Sequence, residues 1–448
     1  MKTDSILIVG AGLCGTFLAI RLAQRGYHVR LHEKRPDLRL EDTGAGRSIN
    51  LALSNRGLRA LRLIGLEEAI RPACIPMTGR LVHPLGGVPV LAPYSGRVGE
   101  YINSVSRSGL NALLLDAAAA LPNIELVFNS DCEQVDLKQG SAQFRDLKTG
   151  ALQKVQAAAI FGTDGAGSVL RRGMLAHTSA LLFNYSQDFL RHGYKELHIP
   201  PMGDSGFRIE KNALHIWPRG TYMVIALPNL DGSFTVTIFL PFEGEHSFAQ
   251  LREPAQIEAF FQRQFPDLLA HMPNLASDFL QNPTGTLGTI KCYPWQAYGK
   301  TLLLGDAAHA VVPFYGQGMN ASFEDVVVLD ELVDTYGDDW GALFSAFQEA
   351  RKKDTDAIAD LAVDNFYEMR DHVANPVFMR KRRLETLLEQ QYPSYFSKYS
   401  LVTFREDVPY STAMEKGRKQ DALLMQLCEQ SEDSNWDLEA VLAQLQAI

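Results

Sequence analysis

Gly10, Gly12 and Gly15 stand in the spacing G-x-G-x-x-G, directly after the apolar run Ser5-Ile6-Leu7-Ile8-Val9. Glycines so placed allow a tight turn, close approach of backbone to a pyrophosphate, and close packing of helix on strand, with the phosphates resting on the helix N-terminus. Glu33 follows Gly15 by eighteen residues, where a carboxylate accepts hydrogen bonds from an adenosine ribose and disfavours a 2′-phosphate. The chemistry implied is binding of a dinucleotide, FAD or NAD rather than NADP. Arg107, Asp164-Gly165 and Gly305-Asp306 could serve the same ligand. Taken singly they read equally as a surface arginine at a helix start, an ordinary turn and a helix cap. No Ser-His-Asp set, metal-ligand cluster or paired-acid motif stands out, and Cys14 inside the glycine loop reads as a small space-filler.

The elements that must hold these residues follow from periodicity. Residues 5–9 form a strand, 16–25 a helix stopped by Gly26, and 29–33 a second strand, a β-α-β unit of about 30 residues. A long helix is expected over 104–121 with Leu110, Leu113, Leu114 and Ala117 as its core face, then strands at 124–128 and 157–162. Between 194 and 240 the pattern changes to an antiparallel meander, with strands at 195–199, 214–217, 222–227 and 233–240. A strand at 301–304 and a helix at 319–332 return to the first pattern, and the remainder from Trp340 is mostly helical. The fold class expected is α/β: a Rossmann-like dinucleotide-binding domain with an inserted antiparallel-sheet substrate domain and a helical C-terminal region. The expected division is 1–70, 101–180 and 286–335 for the first, 71–100 and 181–285 for the second, and 336–448 for the third.

Composition narrows the class. With 46% hydrophobic and 21% charged residues the 448-residue chain is an ordinary globular protein, long enough for two or three domains. A net charge of -9 argues against a nucleic-acid partner, which needs clustered cations on one surface. The densest basic run, Arg380-Lys381-Arg382-Arg383, reads as a solvated helix face. Five scattered cysteines suit a reducing cytosol and neither a disulfide framework nor a zinc site. The N-terminus lacks a signal-peptide pattern, and no run of about 18 apolar residues offers a membrane span. The expectation is a cytoplasmic protein.

Taken together and in order, Gly10 to Gly15, Arg107, Asp164-Gly165 and Gly305-Asp306 resemble the single-component FAD-dependent aromatic hydroxylases, the family of para-hydroxybenzoate hydroxylase. The resemblance implies bound FAD, with NADPH and O2 as co-substrates and no separate NADPH domain. It implies that Asp306 meets the FAD ribitol and that the helix beginning near Met319 points its N-terminus at the isoalloxazine. The cofactor residues it implies are Gly10, Gly12, Leu13, Gly15, Glu33, Lys34, Arg35, Ala52, Arg107, Cys132, Asp164, Val169, Asp306, Gly318, Met319 and Asn320.

Within that family the similarity is closer to the members that hydroxylate kynurenine, and it runs to about residue 415. It is carried by Gly46-Arg47-Ser48-Ile49-Asn50-Leu51-Ala52-Leu53, His192-Gly193-Tyr194-Lys195-Glu196-Leu197, Leu214-His215-Ile216-Trp217-Pro218, Ile225-Ala226-Leu227-Pro228-Asn229, Val312-Pro313-Phe314-Tyr315-Gly316-Gln317-Gly318-Met319-Asn320 and Tyr399-Ser400-Leu401-Val402-Thr403-Phe404. The resemblance implies that Arg80 and Tyr94 hold the carboxylate of L-kynurenine and that Asn365 and Tyr399 complete the polar end. The aryl ring would lie against Leu214, Met223, Ile225, Leu227, Thr237, Phe239, Pro313, Phe314 and Met369. Read without the family, core packing is the favoured reading of Leu214 to Phe239 as the buried face of a sheet, and Arg80, Tyr94 and Tyr399 could be an ion-paired arginine and half-buried core tyrosines. Tyr315 is assigned no role beyond the loop beside the flavin.

The reaction implied is reduction of FAD by NADPH, addition of O2 at flavin C4a, and transfer of one oxygen from the hydroperoxide to C3 of the substrate, in tryptophan breakdown or NAD synthesis. Mitochondrial members carry a hydrophobic C-terminal anchor, whereas residues 421–448 are amphipathic and acid-rich. No membrane span is therefore expected, and a homodimer is compatible with the sequence. The alternatives are an FAD monooxygenase for another aromatic substrate and an FAD-binding scaffold without turnover.

Overall fold

The computed structural model describes residues 5–40, 50–372, 375–430 and 436–448. Gly46 to Ile49 of the quoted similarity lie outside the described residues. A six-stranded sheet carries the dinucleotide fingerprint. Its order is Gln296–Ala297, Thr301–Leu303, Ala159–Gly162, Ser5–Val9, His28–His32, Ile124–Val127, parallel throughout except at the Gln296–Ala297 edge. Its central strands are buried on both faces, as parallel strands covered by helices must be, and Ile6, Leu7 and Ile8 are fully enclosed. The helix Leu13–Gln24 buries eight of its residues against this sheet. It ends where Gly26, at φ +87°, takes the left-handed conformation that costs other residues strain.

The second sheet has seven strands in the order Gly285–Tyr293, Asn184–Ile199, Phe234–Pro241, Met223–Pro228, Leu214–Pro218, Gly79–Val82, Val90–Pro93. Successive side chains point to opposite faces of a strand, and here both faces are covered. Val224, Ala226, Val236 and Ile238 pack on Phe260, Phe261 and Phe265. Leu214, Met223, Leu227 and Phe239 face Phe314, Phe366, Met369 and Tyr399. That second face belongs to the site. The helices Trp340–Tyr367, Pro376–Gln391, Lys398–Thr403 and Tyr410–Gln430 close over it, and among the described residues no helix is long and apolar enough to cross a membrane.

The structure departs from the sequence reading in several places. Residues 104–106 are strand, not helix: Ile102–Ser106 pairs with Asn50–Leu53 and Cys74–Met77. The helix starts at Arg107, because Ser106 Oγ accepts from the Gly109 N–H and caps it. Its buried face is Leu110, Asn111, Leu114, Leu115 and Ala118, with Leu113 and Ala117 only partly buried, since the helix packs mainly on the helix Leu13–Gln24. Residues 286–293, allotted to the FAD-binding unit, belong to a strand that hydrogen-bonds along Asn184–Ile199 in the large sheet. A three-stranded antiparallel sheet over Ser130–Asp136, Ser141–Asp146 and Leu152–Gln156 was not expected; its polar strands have a weak hydrophobic alternation.

Candidate active site

Two of the glycine motifs touch. Gly10 ends the first strand at φ +101° with its N–H donating to His32 O at 2.7 Å. A Cβ there would lie 2.7 Å from Thr163 O, and one on Gly15 would lie 2.0 Å from Gly10 O and 2.4 Å from Thr163 Oγ1. Thr163 Oγ1 sits within hydrogen-bond reach of Val9 O (3.0 Å) and Gly10 O (2.9 Å), so strand, loop and helix are locked together at the 163–165 turn. Gly12 differs, because a Cβ on it meets no atom of the described residues within 4 Å. The space it leaves lies over the uncapped N-terminus of the helix Leu13–Gln24.

That space is part of a cleft of about 730 Å³, a size suited to a dinucleotide. Gly10, Gly12, Leu13, Glu33, Lys34, Arg35 and Ala52 line one side; Arg107, Cys132, Asp164, Val169, Asp306, Gly318 and Met319 line the rest. Glu33 is buried, its Oε2 accepting from the Ala11 N–H at 2.9 Å and its Oε1 from Arg35. Asp164 Oδ2 accepts from the Val169 N–H at 2.7 Å, whereas its Oδ1 is buried with no partner among the described residues. Burial raises the Asp164 carboxyl above its ordinary range, and burial followed by the nearby Asp164 and Asp131 pushes the Cys132 thiol up to about 12. An orphaned carboxylate oxygen, a glycine opening onto a helix N-terminus and a carboxylate at the end of the second strand together fit FAD.

Gly15 and Asn320 do not line the cleft. Gly15 is a packing glycine. Asn320 is a clamp, fully buried, donating to Ala52 O and Gly316 O at 2.9 Å each and accepting from the Ser54 N–H at 3.1 Å. It thereby ties the Asn50–Leu53 strand to the 313–318 loop. Sequence reasoning passed over Ser130, Asp131 and Glu133, which reach the cleft from the unexpected three-stranded sheet, and over Val311 and Arg172, and it read Cys14, which also lines the cleft, as a space-filler. Only the glycine-loop position of Cys14 offered a signal.

Beyond the loop is a smaller chamber of about 260 Å³. It shares Asn50, Ala52, Val311, Pro313 and Gly316 with the cleft. Gly316 stands at φ +68°, and a Cβ there would press to 2.8 Å from Ala52 Cβ, so only glycine keeps this shared wall thin. Leu214, Ile225, Leu227, Thr237, Phe239, Pro313, Phe314 and Met369 line the chamber's apolar part; Arg80, Tyr94 and Tyr399 line its polar end. Met223 shares this sheet face and packs in the same core, but it does not line the chamber. Asn365 also stands behind the lining, donating to Phe314 O at 2.6 Å and accepting from Arg80 at 3.5 Å.

The polar end is electrostatically unusual. Arg80 is nearly buried, yet its nearest carboxylate among the described residues, Glu368, is 3.6 Å away, longer than a good charged hydrogen bond. Burial works against its charge, and Tyr399, Tyr94 and Glu368 more than offset it. Burial alone would raise the Glu368 carboxyl, but Lys398, Lys381 and Arg80 hold it below the ordinary range. The basic run expected on a solvated face is partly internal: Lys381 is buried between Glu385 and Asp421. An outer groove of about 660 Å³ runs between the Val90–Pro93 strand and the helix Pro376–Gln391 and shares Arg80, Tyr94 and Tyr399 with the chamber.

A dinucleotide cleft that shares one thin wall with a largely apolar chamber defines an FAD-dependent monooxygenase of the para-hydroxybenzoate hydroxylase type. The model of the FAD binding domain matches residues 2–181 and 253–341. The kynurenine 3-monooxygenase of Myxococcus xanthus strain DK1622 is 47% identical over 96% of this chain and 91% of its own. That of Flavobacterium psychrophilum is 43% identical over 98% of this chain and 97% of its own. Among solved structures, the tetrameric form of 2-methyl-3-hydroxypyridine-5-carboxylic acid oxygenase superposes with a TM-score of 0.66 at 22% identity, covering 86% of this chain and 98% of that one, a likeness of fold. The chain belongs to the kynurenine 3-monooxygenase family.

Proposed function

We propose that the protein converts L-kynurenine, NADPH, a proton and O2 to 3-hydroxy-L-kynurenine, NADP+ and water. The observation that carries the reading is the chamber: largely apolar, walled by the FAD cleft at one end, and bounded at the other by a nearly buried arginine whose closest carboxylate among the described residues is 3.6 Å away. Arg80 grips the α-carboxylate with its planar fork and Tyr94 adds a directional donor. Leu214, Ile225, Leu227, Phe239 and Phe314 hold the aminophenyl ring and exclude water, while Asn365 keeps Arg80 and the Phe314 carbonyl in register.

FAD, when bound, takes the reducing equivalents from NADPH and delivers one atom of O2 to the ring. The target carbon is ortho to an aniline nitrogen that already enriches it, so no side chain has to act as a strong base. The helix Gly318–Tyr336 begins without a side-chain cap, and Gly318 and Met319 line the cleft. Its positive end therefore supports negative charge on a reduced cofactor. The same reading takes 1–70, 101–180 and 294–335 as the FAD unit, 71–100 and 181–293 as the substrate unit, 336–448 as the closing helices, and the cytoplasm as the location.

The test is NADPH oxidation by the FAD-loaded protein with and without L-kynurenine, under 18O2, with mass analysis of the product. Sharp stimulation and a product carrying one 18O are expected. A yellow protein whose NADPH oxidation ignores L-kynurenine overturns the assignment.

A further inference from the structure

Of residues 301–310, all are buried except Asp306. Asp306 lines the FAD cleft, and its side chain forms no hydrogen bond or ion pair among the described residues, which leaves the carboxylate to a ligand. It is also the first residue of a helix only four residues long, Asp306–His309, entered through a turn at Gly305 with φ +57° and ψ −141°. Four residues do not hold a helix in place by themselves, because nucleating one turn is unfavourable. What fixes Asp306 must come from elsewhere in the fold.

Buried side chains supply it. Asp325, on the helix Gly318–Tyr336, is fully enclosed. Its Oδ2 accepts from the Gly305 N–H at 3.0 Å and from His309 Nε2 at 2.6 Å, so one oxygen holds both the residue before the short helix and the residue that ends it. Its Oδ1 accepts from Arg351 Nε at 2.8 Å. Arg351, also buried, reaches Glu324 at 2.9 Å, and Glu324 meets the buried Arg56 at 2.6 Å. Burial alone would raise the Asp325 carboxyl, but His309 and Arg351 more than offset it. Between the two ends, the carbonyls of Ala307 and Ala308 accept from Arg171 Nη1 at 2.7 Å and Cys292 Sγ at 3.2 Å. Asp325 itself does not line the cleft, so its influence on a cofactor passes through the segment it holds.

We propose that Asp325 is a positioning residue for the cofactor: by holding Gly305 and His309 on one carboxylate oxygen it sets where Asp306 stands in the cleft, and through Asp306 it governs affinity for the ribityl part of FAD and not for the adenylate part. This rests on Asp306 meeting the ribityl chain. A binding group is effective only when a second layer of buried contacts fixes its place to within about 0.5 Å, and Asp325 is that layer here. The adenylate end has separate supports in the open helix N-terminus at Gly12 and the buried Glu33, to which Asp325 makes no hydrogen bond.

Asp325→Ala removes the acceptor from both ends of the short helix and leaves Arg351 its Glu324 partner. The dissociation constant for FAD, from quenching of flavin fluorescence, should rise about tenfold, the equivalent of one hydrogen bond to a charged group. That for ADP, which lacks the ribityl chain, should change less than about twofold when measured by displacement of FAD. In an Asp306→Ala background the same substitution should add less than about twofold to the FAD constant, because the group it positions is gone. An unchanged FAD constant overturns the proposal, as does equal weakening of FAD and ADP or an undiminished effect in the Asp306→Ala background. If Asp325→Ala does not fold, His309→Phe frees one end of the short helix while Asp325 keeps Arg351, and there too only a selective loss of FAD supports the proposal. Asp306→Ala protein with wild-type FAD affinity would instead sink the ribityl assignment beneath it.

Discussion

Alanine in place of Gly15 puts the glycine loop to a quantitative test. The added methyl carbon would sit 2.0 Å from Gly10 O and 2.4 Å from Thr163 Oγ1. Moving it out to even 3.0 Å, a distance real Cβ atoms essentially never undercut, demands 3.0 − 2.0 = 1.0 Å of backbone displacement. Neither neighbour yields easily, because Gly10 is tied to His32 O and Thr163 Oγ1 sits between Val9 O and Gly10 O. Overpacking a tight site costs about 1–3 kcal/mol, and two pinned backbone partners place this one near ~3 kcal/mol, about a hundredfold in an equilibrium constant. The expected result is a destabilised apoprotein whose FAD dissociation constant, from quenching of flavin fluorescence, is raised about a hundredfold. Gly12→Ala is the control: its methyl meets no atom of the described residues within 4 Å. Apoprotein stability should hold while FAD binding falls, since only the ligand's phosphates are crowded. Wild-type FAD affinity in Gly15→Ala, or equal apoprotein destabilisation in both variants, would refute the assignment of Gly15 to packing and Gly12 to the ligand.

Three further outcomes are expected. Arg80→Lys keeps the charge but loses the planar fork, and kcat/KM for L-kynurenine should fall about thirtyfold, roughly 2 kcal/mol, with the FAD dissociation constant unchanged; a change below threefold would remove Arg80 from carboxylate binding. Asn320→Ala strips donors from two buried carbonyls and an acceptor from the Ser54 N–H, so urea unfolding should show a loss of about 3 kcal/mol. Burial holds His215, and likewise His32, down at about 4 from an ordinary 6.5. Between those values the unfolded chain binds a proton that the folded chain refuses. Stability from each histidine is therefore complete above pH 6.5 and drains away as pH falls toward 4, by up to about 3 kcal/mol. Urea midpoints at pH 7 and pH 5 should differ accordingly, less so in His215→Asn.

Much of the cofactor site was legible because its signals are local. A strand, a six-residue glycine loop, a helix and a second strand are consecutive, and the geometry that a pyrophosphate needs is contained in one β-α-β unit. Glu33 falls at the end of His28–His32 by the same local logic. The strand that replaced the start of the 104–121 helix was not legible. Residues 104–106 suit either state, and pairing with strands at 50–53 and 74–77 decided it. The Ser130–Asp136 hairpin was missed for a related reason, since half-exposed polar strands leave little alternation to read.

By itself, then, the sequence determined the dinucleotide fold, its acidic ribose partner and, through its likeness to a family, the names of Arg80, Tyr94, Asn365 and Tyr399. The tertiary structure decided what those residues do together. It separated Gly12 from Gly15, set Asn365 and Met223 outside the chamber lining, and left the hydroxyls of Tyr94 and Tyr315 without hydrogen-bond partners among the described residues. The physical reason is that burial and hydrogen-bond satisfaction are properties of what surrounds a side chain. Here the surroundings of Arg80 arrive from Tyr94, Asn365 and Tyr399, scattered across the length of the chain.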